Sequence, residues 1–377
     1  MRVRRTLYRE QGQRTAKTVN AVSLRCGAVG EGGLPRTAQA RAPQLQQGTS
    51  WEAETTAQRL GRLPYARSSF ESVGQERGRQ YTAVRADLEA VLMEEDIVPA
   101  EAASVSVALD RVSIPMEEMV ASNEHAAQPG TRKRKVWRQF RMASCATLTR
   151  HDRKGEALQT LRYGRMPQGD VEELCRTLAQ DVRTLLRKHP VLGVILLADG
   201  APELWKLLPG SLNAETLGVP VRQLGDLWHL LEKLGSAARL RYGETQGSSV
   251  LQSWRLRLLN RSGRVAEILP ELRNSGKAAV AVGTSRPVHE AITYLENHQA
   301  RMNYAYARRH GFPVGSGNVE ATCKSLVAVR MKRPGARWKE ETGEHLLNLR
   351  ALALSDRWET ARTLTLRPLR KTLRLAA

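Results

Sequence analysis

Apolar and polar positions alternate with changing period along this chain, and each change predicts an element. No period of 2 or 3.6 holds through residues 1 to 48, where Arg, Gly, Gln and Thr dominate, so a basic arm without fixed structure is expected. From Trp51 to Leu92 the pattern turns helical, with a short helix near Glu52 to Leu60, a Gly61 to Pro64 break, and Ser68 or Ser69 as cap of a second helix. This helix-turn-helix-like region, 49 to 95, has two open readings: a DNA-docking module, or a helical hairpin packed on the next domain.

Ser104 to Asp110 alternates and predicts a strand ending on its acid. Beyond the basic linker Thr131 to Lys135, Val136 to Leu148 and Ala157 to Tyr163 extend it into an antiparallel meander. Val171 to Lys188 carries Val171, Leu174, Leu178, Val182, Leu185 and Leu186 at helical spacing. The unbroken apolar run Val191 to Ala198, ending at Asp199-Gly200, predicts a strand buried on both faces, and Val219 to Leu224 repeats it more weakly before Asp226. Tyr242 to Gly311 is amphipathic and helical throughout, including Val288 to Asn303. Pro313 to Gly317 then makes a turn, Ser316 or Asn318 caps the next helix, and Glu320 lies in its first turn. A last helix near Lys339 to Leu354 precedes a basic tail.

The predicted class is α/β, a mixed five-stranded sheet with an all-α insertion before the last core helix and a helical N-terminal region. The expected segments are 1–48, arm; 49–95, helical region; 100–242, first part of the core; 243–311, α insertion; 312–356, last part of the core; and 357–377, tail.

Composition narrows the function. Among 377 residues, 41% apolar, 59 Lys and Arg oppose 38 Asp and Glu, a net charge of +21 that attracts polyanions, nucleic acid first. No apolar run approaches the roughly 20 residues that span a bilayer, and Met1 to Arg5 has no apolar stretch behind it, so no membrane partner and no secretory signal are expected. Cys26, Cys145, Cys175 and Cys323 form no close pair, which suits a reducing cytoplasm and, with this charge, association with the nucleoid.

Asp110 and Asp199 each close a predicted strand, so neighbouring strands would bring their carboxylates to one sheet edge, where Glu320 can supply a third. Hard divalent ions take such oxygen ligands, and two ions roughly 3.5–4 Å apart can serve both oxygens of an in-line phosphodiester transfer. Acids also end strands merely to cap the following helix, and for each of the three that reading stays open. Asp226 reads as a helix cap or an extra acid of the site, and His229 as a half-buried histidine or a group orienting a carboxylate or phosphate. Lys324, one turn past Glu320, can pair with it or touch DNA phosphate. Arg330, Lys332, Arg333, Arg337 and Lys339, with Trp338 among them, suit backbone contact with a DNA end, or form a solvated face.

Three segments carry a resemblance. Leu196-Leu-Ala-Asp-Gly-Ala-Pro-Glu-Leu-Trp205 resembles the second-aspartate motif of insertion-sequence transposases of the ISKra group, which have a ribonuclease H-like DDE core. Gly225 to Leu234 is similar to the motif that follows it there, and Gly311-Phe-Pro-Val-Gly-Ser-Gly-Asn-Val-Glu320, running on to Trp338, resembles the third-acid block. The similarity spans roughly residues 50 to 360. It implies catalytic, metal-holding Asp110, Asp199 and Glu320, two Mg²⁺ or Mn²⁺ ions, double-stranded DNA as transposon ends and target, and a homo-oligomer on DNA. The chain departs from the group where Arg111 follows Asp110 and over residues 1 to 48. The alternatives are an inactive or truncated remnant that only binds DNA, and a ribonuclease H-like nuclease.

Overall fold

The structure, a computed structural model, describes residues 7–8, 19–20, 48–59, 66–119, 136–274 and 280–371. Most of the expected arm, the Gly61 to Pro64 break and the Thr131 to Lys135 linker lie outside the described residues. Within the arm, Leu7–Tyr8 pairs antiparallel with Val19–Asn20.

The core is one five-stranded sheet of β1 (Ser104–Met119), β2 (Val136–His151), β3 (Ala157–Arg165), β4 (Gly193–Ala198) and β5 (Val221–Gly225), in the spatial order β3-β2-β1-β4-β5. β1, β2 and β3 pair antiparallel, whereas β4 runs parallel to β1 and β5 parallel to β4. That order and those directions make a mixed five-stranded sheet with helices on its faces, the expected α/β class.

One expectation about the sheet changes. β1 does not end at Asp110 but runs nine residues further, to Met119, paired throughout with β2. Only its partner β4 stops, the last paired residues being Ala108 and Leu197. Beyond that point β1 has β2 on one side and a single bridge from Met116 to Trp338 on the other, so Pro115, with no N–H to give, is tolerated there.

Strand alternation divides the core into two layers. Val105, Val107, Leu109, Val194, Leu196 and Ala198 pack with Leu174, Leu178, Val182 and Leu185 of α4 (Val171–Lys188). Each fully buried leucine of that stripe is worth about 1.5–3 kcal/mol, which explains why a helix with charges on its other positions lies flat on the sheet. Asp170 caps it by accepting from Glu173 N at 2.9 Å.

The opposite face carries Ala108, Cys145, Ile195, Leu197 and Leu224. It is covered by α7 (Leu227–Tyr242), by the α insertion, and by α12 (Gly317–Thr322) with the π-helical segment Cys323–Ala328 that continues it. The insertion comprises α8 (Glu244–Asn260), α9 (Val265–Arg273), α10 (Pro287–His298) and α11 (Tyr304–Arg309).

The N-terminal region holds α1 (Ser50–Arg59), α2 (Arg67–Thr82) and α3 (Arg85–Glu94), a helix more than the pattern predicted. α2 starts before Ser68 and Ser69, with Ala66 at its cap position. It lies against α14 (Glu340–Leu354), where a Cβ on Gly78 would collide with His345. The expected basic tail forms α15 (Trp358–Lys371), whose Ala361 is buried with Tyr81, Leu88 and Leu92. Among the described residues no helix is long and apolar enough to cross a membrane.

Candidate active site

Register and alternation place the first two acids. Ala108 of β1 lies beside Leu197 of β4, so Asp110 and Asp199 stand two residues further along neighbouring parallel strands, on the face that Ala108 and Leu197 occupy. Asp110 therefore sits where β4 leaves β1 and the sheet opens. Its Oδ1 accepts from Arg111 N at 2.6 Å and its Oδ2 from the Cys323 thiol at 3.5 Å. Asp199 Oδ1 accepts from Ala201 N at 2.9 Å, and its backbone carbonyl accepts from Trp205 Nε1 at 2.7 Å.

Burial pushes the Asp110 carboxyl above its ordinary value; the Asp199 carboxylate pushes the same way, while Arg111 N–H, the Cys323 thiol and His229 pull back. Among the described residues no Lys or Arg pairs with either acid; Arg111 itself turns to Glu203 at 3.0 Å. Two converging oxygen donors of like charge without a cationic side chain fit a hard divalent ion, which needs only one or two carboxylates when phosphate and water complete its shell.

The third acid is placed differently. Glu320 lies on α12 one turn before Cys323, the residue touching Asp110, but its carboxylate is exposed and accepts from Lys324 Nζ at 2.6 Å. Among the described residues no three of His, Cys, Asp and Glu are grouped so as to hold an ion together. The structure thus brings Asp110 and Asp199 together and leaves Glu320 at the rim.

Asp226 stands beside Asp199 at the end of β5, its N–H bonded to Ala198 O at 3.1 Å. It is buried and its oxygens are taken: Oδ1 accepts from Trp228 N at 2.6 Å and His229 N at 3.0 Å, Oδ2 from Ser316 N and Ser316 Oγ, each at 2.5 Å. This is the capping geometry, with an addition. The Ser316 hydroxyl does not cap α12; it ties the start of that helix to Asp226 and so to the sheet edge. His229, in the first turn of α7, is half-buried and acts on Asp110 through its charge.

Four residues were not singled out by the sequence reading as parts of the site. Cys323 touches Asp110, and its hydrogen bond with the neighbouring Cys145, then burial and Asp110, raise its thiol far above the usual range, so it stays protonated. Tyr294 and His298, one turn apart on α10 with rings 4.7 Å from centroid to centroid, press on Gly200. A Cβ at Gly200 would collide with the Tyr294 ring, which accounts for glycine after Asp199. The hydroxyls of Tyr294 and Tyr304 and Nδ1 of His298 are buried without a hydrogen-bond partner. Asp226 and Asp199 both act on Tyr294, whose hydroxyl burial holds in its neutral form. The spacing of Tyr294 and His298 was the available signal, a polar aromatic pair on the apolar stripe of an amphipathic helix.

The basic candidates divide. Lys324 pairs with Glu320, while Lys332, Arg337 and Lys339 are exposed. Arg330 lies over the Trp338 ring at 4.9 Å from its centroid, and Arg333 reaches across to Glu52 of α1 at 2.5 Å.

No protein-family model matches the chain, and no curated protein matches it. Among solved structures the chain is similar to the Drosophila P element transposase strand transfer complex at 13% identity, over 91% of this chain and 93% of that one, with a TM-score of 0.43. It is also similar to the Mos1 transposase paired-end complex with left transposon end, at 15% identity over 74% and 79% of the two chains and a TM-score of 0.20.

Proposed function

We propose that this chain is a transposase that cuts DNA strands at the ends of an insertion sequence and joins the freed 3′-hydroxyl to target DNA. The observation that carries the reading is the meeting of Asp110 and Asp199, like charges on one face of a ribonuclease H-like sheet, at the point where its strands part. The ordered similarity of the blocks around Asp199 and Glu320 and the net charge of +21 agree with it.

In this reading Asp110 and Asp199 hold the metal, and Glu320 joins them when a DNA phosphate draws Lys324 off its carboxylate. Two bound divalent ions, Mg²⁺ or Mn²⁺, would activate the attacking oxygen and stabilise the leaving one. The chain's own residues do the rest: Asp226 and Ser316 fix the helix that bears Glu320, Arg111 N–H orients Asp110, and Lys324 and the run from Arg330 to Lys339 hold the DNA backbone.

The test uses the full chain, a plasmid target and donor duplexes cut from the flanks of its own gene. Metal-dependent nicking and joined product, both lost in Asp199→Ala and Glu320→Ala with DNA binding retained, are expected. Cutting without joining would identify a nuclease of the same fold, and binding without cutting a DNA-binding remnant.

A further inference from the structure

Away from the acids, α1 and α2 meet the segment between residues 330 and 349 around an open cavity of about 400 Å³. Its described lining carries four guanidinium groups, Arg67, Arg330, Arg333 and Arg337, and one carboxylate, Glu71. Several of these groups have partners within the chain: Arg67 Nε lies 3.1 Å from Glu71 and 2.9 Å from Ser50 Oγ, Arg333 reaches Glu52, and Arg330 lies over the Trp338 ring. Guanidinium groups outnumber carboxylates in the described lining, and burial together with Arg333 lowers Arg330 to about 10 against the opposing pull of Glu52 and Glu71. Such crowding is relieved by an anion. Leu346, Leu349 and Trp338 supply an apolar wall to the same cavity.

We infer that this cavity seats one unpaired nucleotide of a DNA strand, its phosphate held by Arg67 and Arg337 and its sugar and base against Leu346, Leu349 and the edge of Trp338. The inference rests on the DNA reading above and adds the form of DNA to it. The volume suits a single nucleotide, and a lining that sets guanidinium groups beside Leu346, Leu349 and Trp338 matches phosphate plus base. Position gives the seat a consequence. Trp338 bridges to β1, its N–H donating to Pro115 O at 3.2 Å and its carbonyl accepting from Glu117 N at 2.8 Å. Arg330 lies on the helical stretch that continues from Glu320. A nucleotide held here is thus tied both to the strand of Asp110 and to the helix of Glu320.

The test measures binding by the full chain to a blunt duplex, to the same duplex with a single-stranded tail, and to free deoxyadenosine monophosphate. The tail should tighten binding roughly tenfold, the effect of one good charge-assisted contact to phosphate. Arg67→Ala and Arg337→Ala, both at exposed positions, should remove most of that gain while circular dichroism shows them folded. Equal binding of the two duplexes, or a tail effect that survives both substitutions, overturns the inference and leaves the transposase reading standing. Mononucleotide binding without a tail effect overturns it in favour of a free nucleotide. A wild type that binds no DNA at all overturns both.

Discussion

Behind the sheet, Glu89, Asp96, Glu173 and Glu344 meet Arg85, Arg150, Arg165 and Arg357 in ion pairs, such as Arg85 with Glu344 at 2.6 Å and Arg357 with Asp96 at 2.8 Å. At its edge, Asp110 lies within electrostatic reach of Asp199, and among the described residues no Lys or Arg forms an ion pair with either. Burial drags Arg165 down, yet the surrounding carboxylates of Glu89, Glu344 and Glu173 outweigh it and leave it firmly charged. Asp110, by contrast, is raised by burial and again by its acidic neighbour. Charges compensated within the chain hold α3, α4 and α14 to the sheet; charges left uncompensated store an affinity for something from outside. In the described lining of the arginine cavity, guanidinium groups outnumber carboxylates.

The contrast can be broken from either end. The largest effect is expected at the edge: Asp199→Ala should cut metal-dependent nicking by about a thousandfold or more. Its melting temperature should hold or rise slightly, because Asp110 loses a like-charged neighbour, and Mg²⁺ should raise the melting temperature of the wild type but not of the variant. An Asp199→Ala protein that melts well below wild type would put this acid among the structural charges. Behind the sheet the signs reverse. Arg150, fully buried and paired with Asp96, should cost about 3–5 kcal/mol when replaced by Ala, read from urea unfolding, with no change in the Mg²⁺ response.

Asp181 sharpens the structural side. It is buried, accepts from Tyr163 Oη at 2.6 Å, and is pushed up to about 7 by burial. A carboxyl raised in the folded state lends stability that is complete below its unfolded value and is lost as pH rises through its folded one. The stability of Asp181→Asn relative to wild type should therefore climb by about 3 kcal/mol between pH 5 and pH 8. A difference that stays flat with pH would remove Asp181 from the comparison.

Asp226 stands between the two kinds of charge, an acid at the edge but satisfied by the chain. Asp226→Ala should destabilise by roughly 2 kcal/mol, the loss of a buried cap and of the Ser316 tether, while the Mg²⁺ shift in melting temperature survives. Disappearance of that shift would make it a ligand instead. The smallest effect is expected at the rim, where Lys324→Ala should leave the melting temperature unresolved from wild type, as exposed pairs one turn apart do.

Which parts were legible follows from the range of the forces involved. α4 and the central strand were readable because the burial of Leu174, Leu178, Val182 and Leu185, and the run Val194 to Ala198, imprint a local period that any window of the chain contains. The end of β1 was not, since Pro115 and the polar residues after Asp110 look like a strand's end unless the pairing with β2 and the bridge from Trp338 are known. The same holds within the site. Asp199 and Glu320 could be singled out from their own segments, whereas Cys323, Tyr294 and His298 enter only because α12 and α10 fold over the sheet edge.

By itself, then, the sequence determined the periods of its elements, the mixed α/β class, the excess of positive charge and the positions of the acids along the chain, because these are local or summed properties. Tertiary structure alone decided which charges meet: that Asp110 finds Asp199, that Glu320 rests on Lys324, and that Arg67 and Arg337, 270 residues apart, share a cavity. Coulomb interactions and desolvation depend on distance and burial in space, and neither is written in the spacing of residues along a chain.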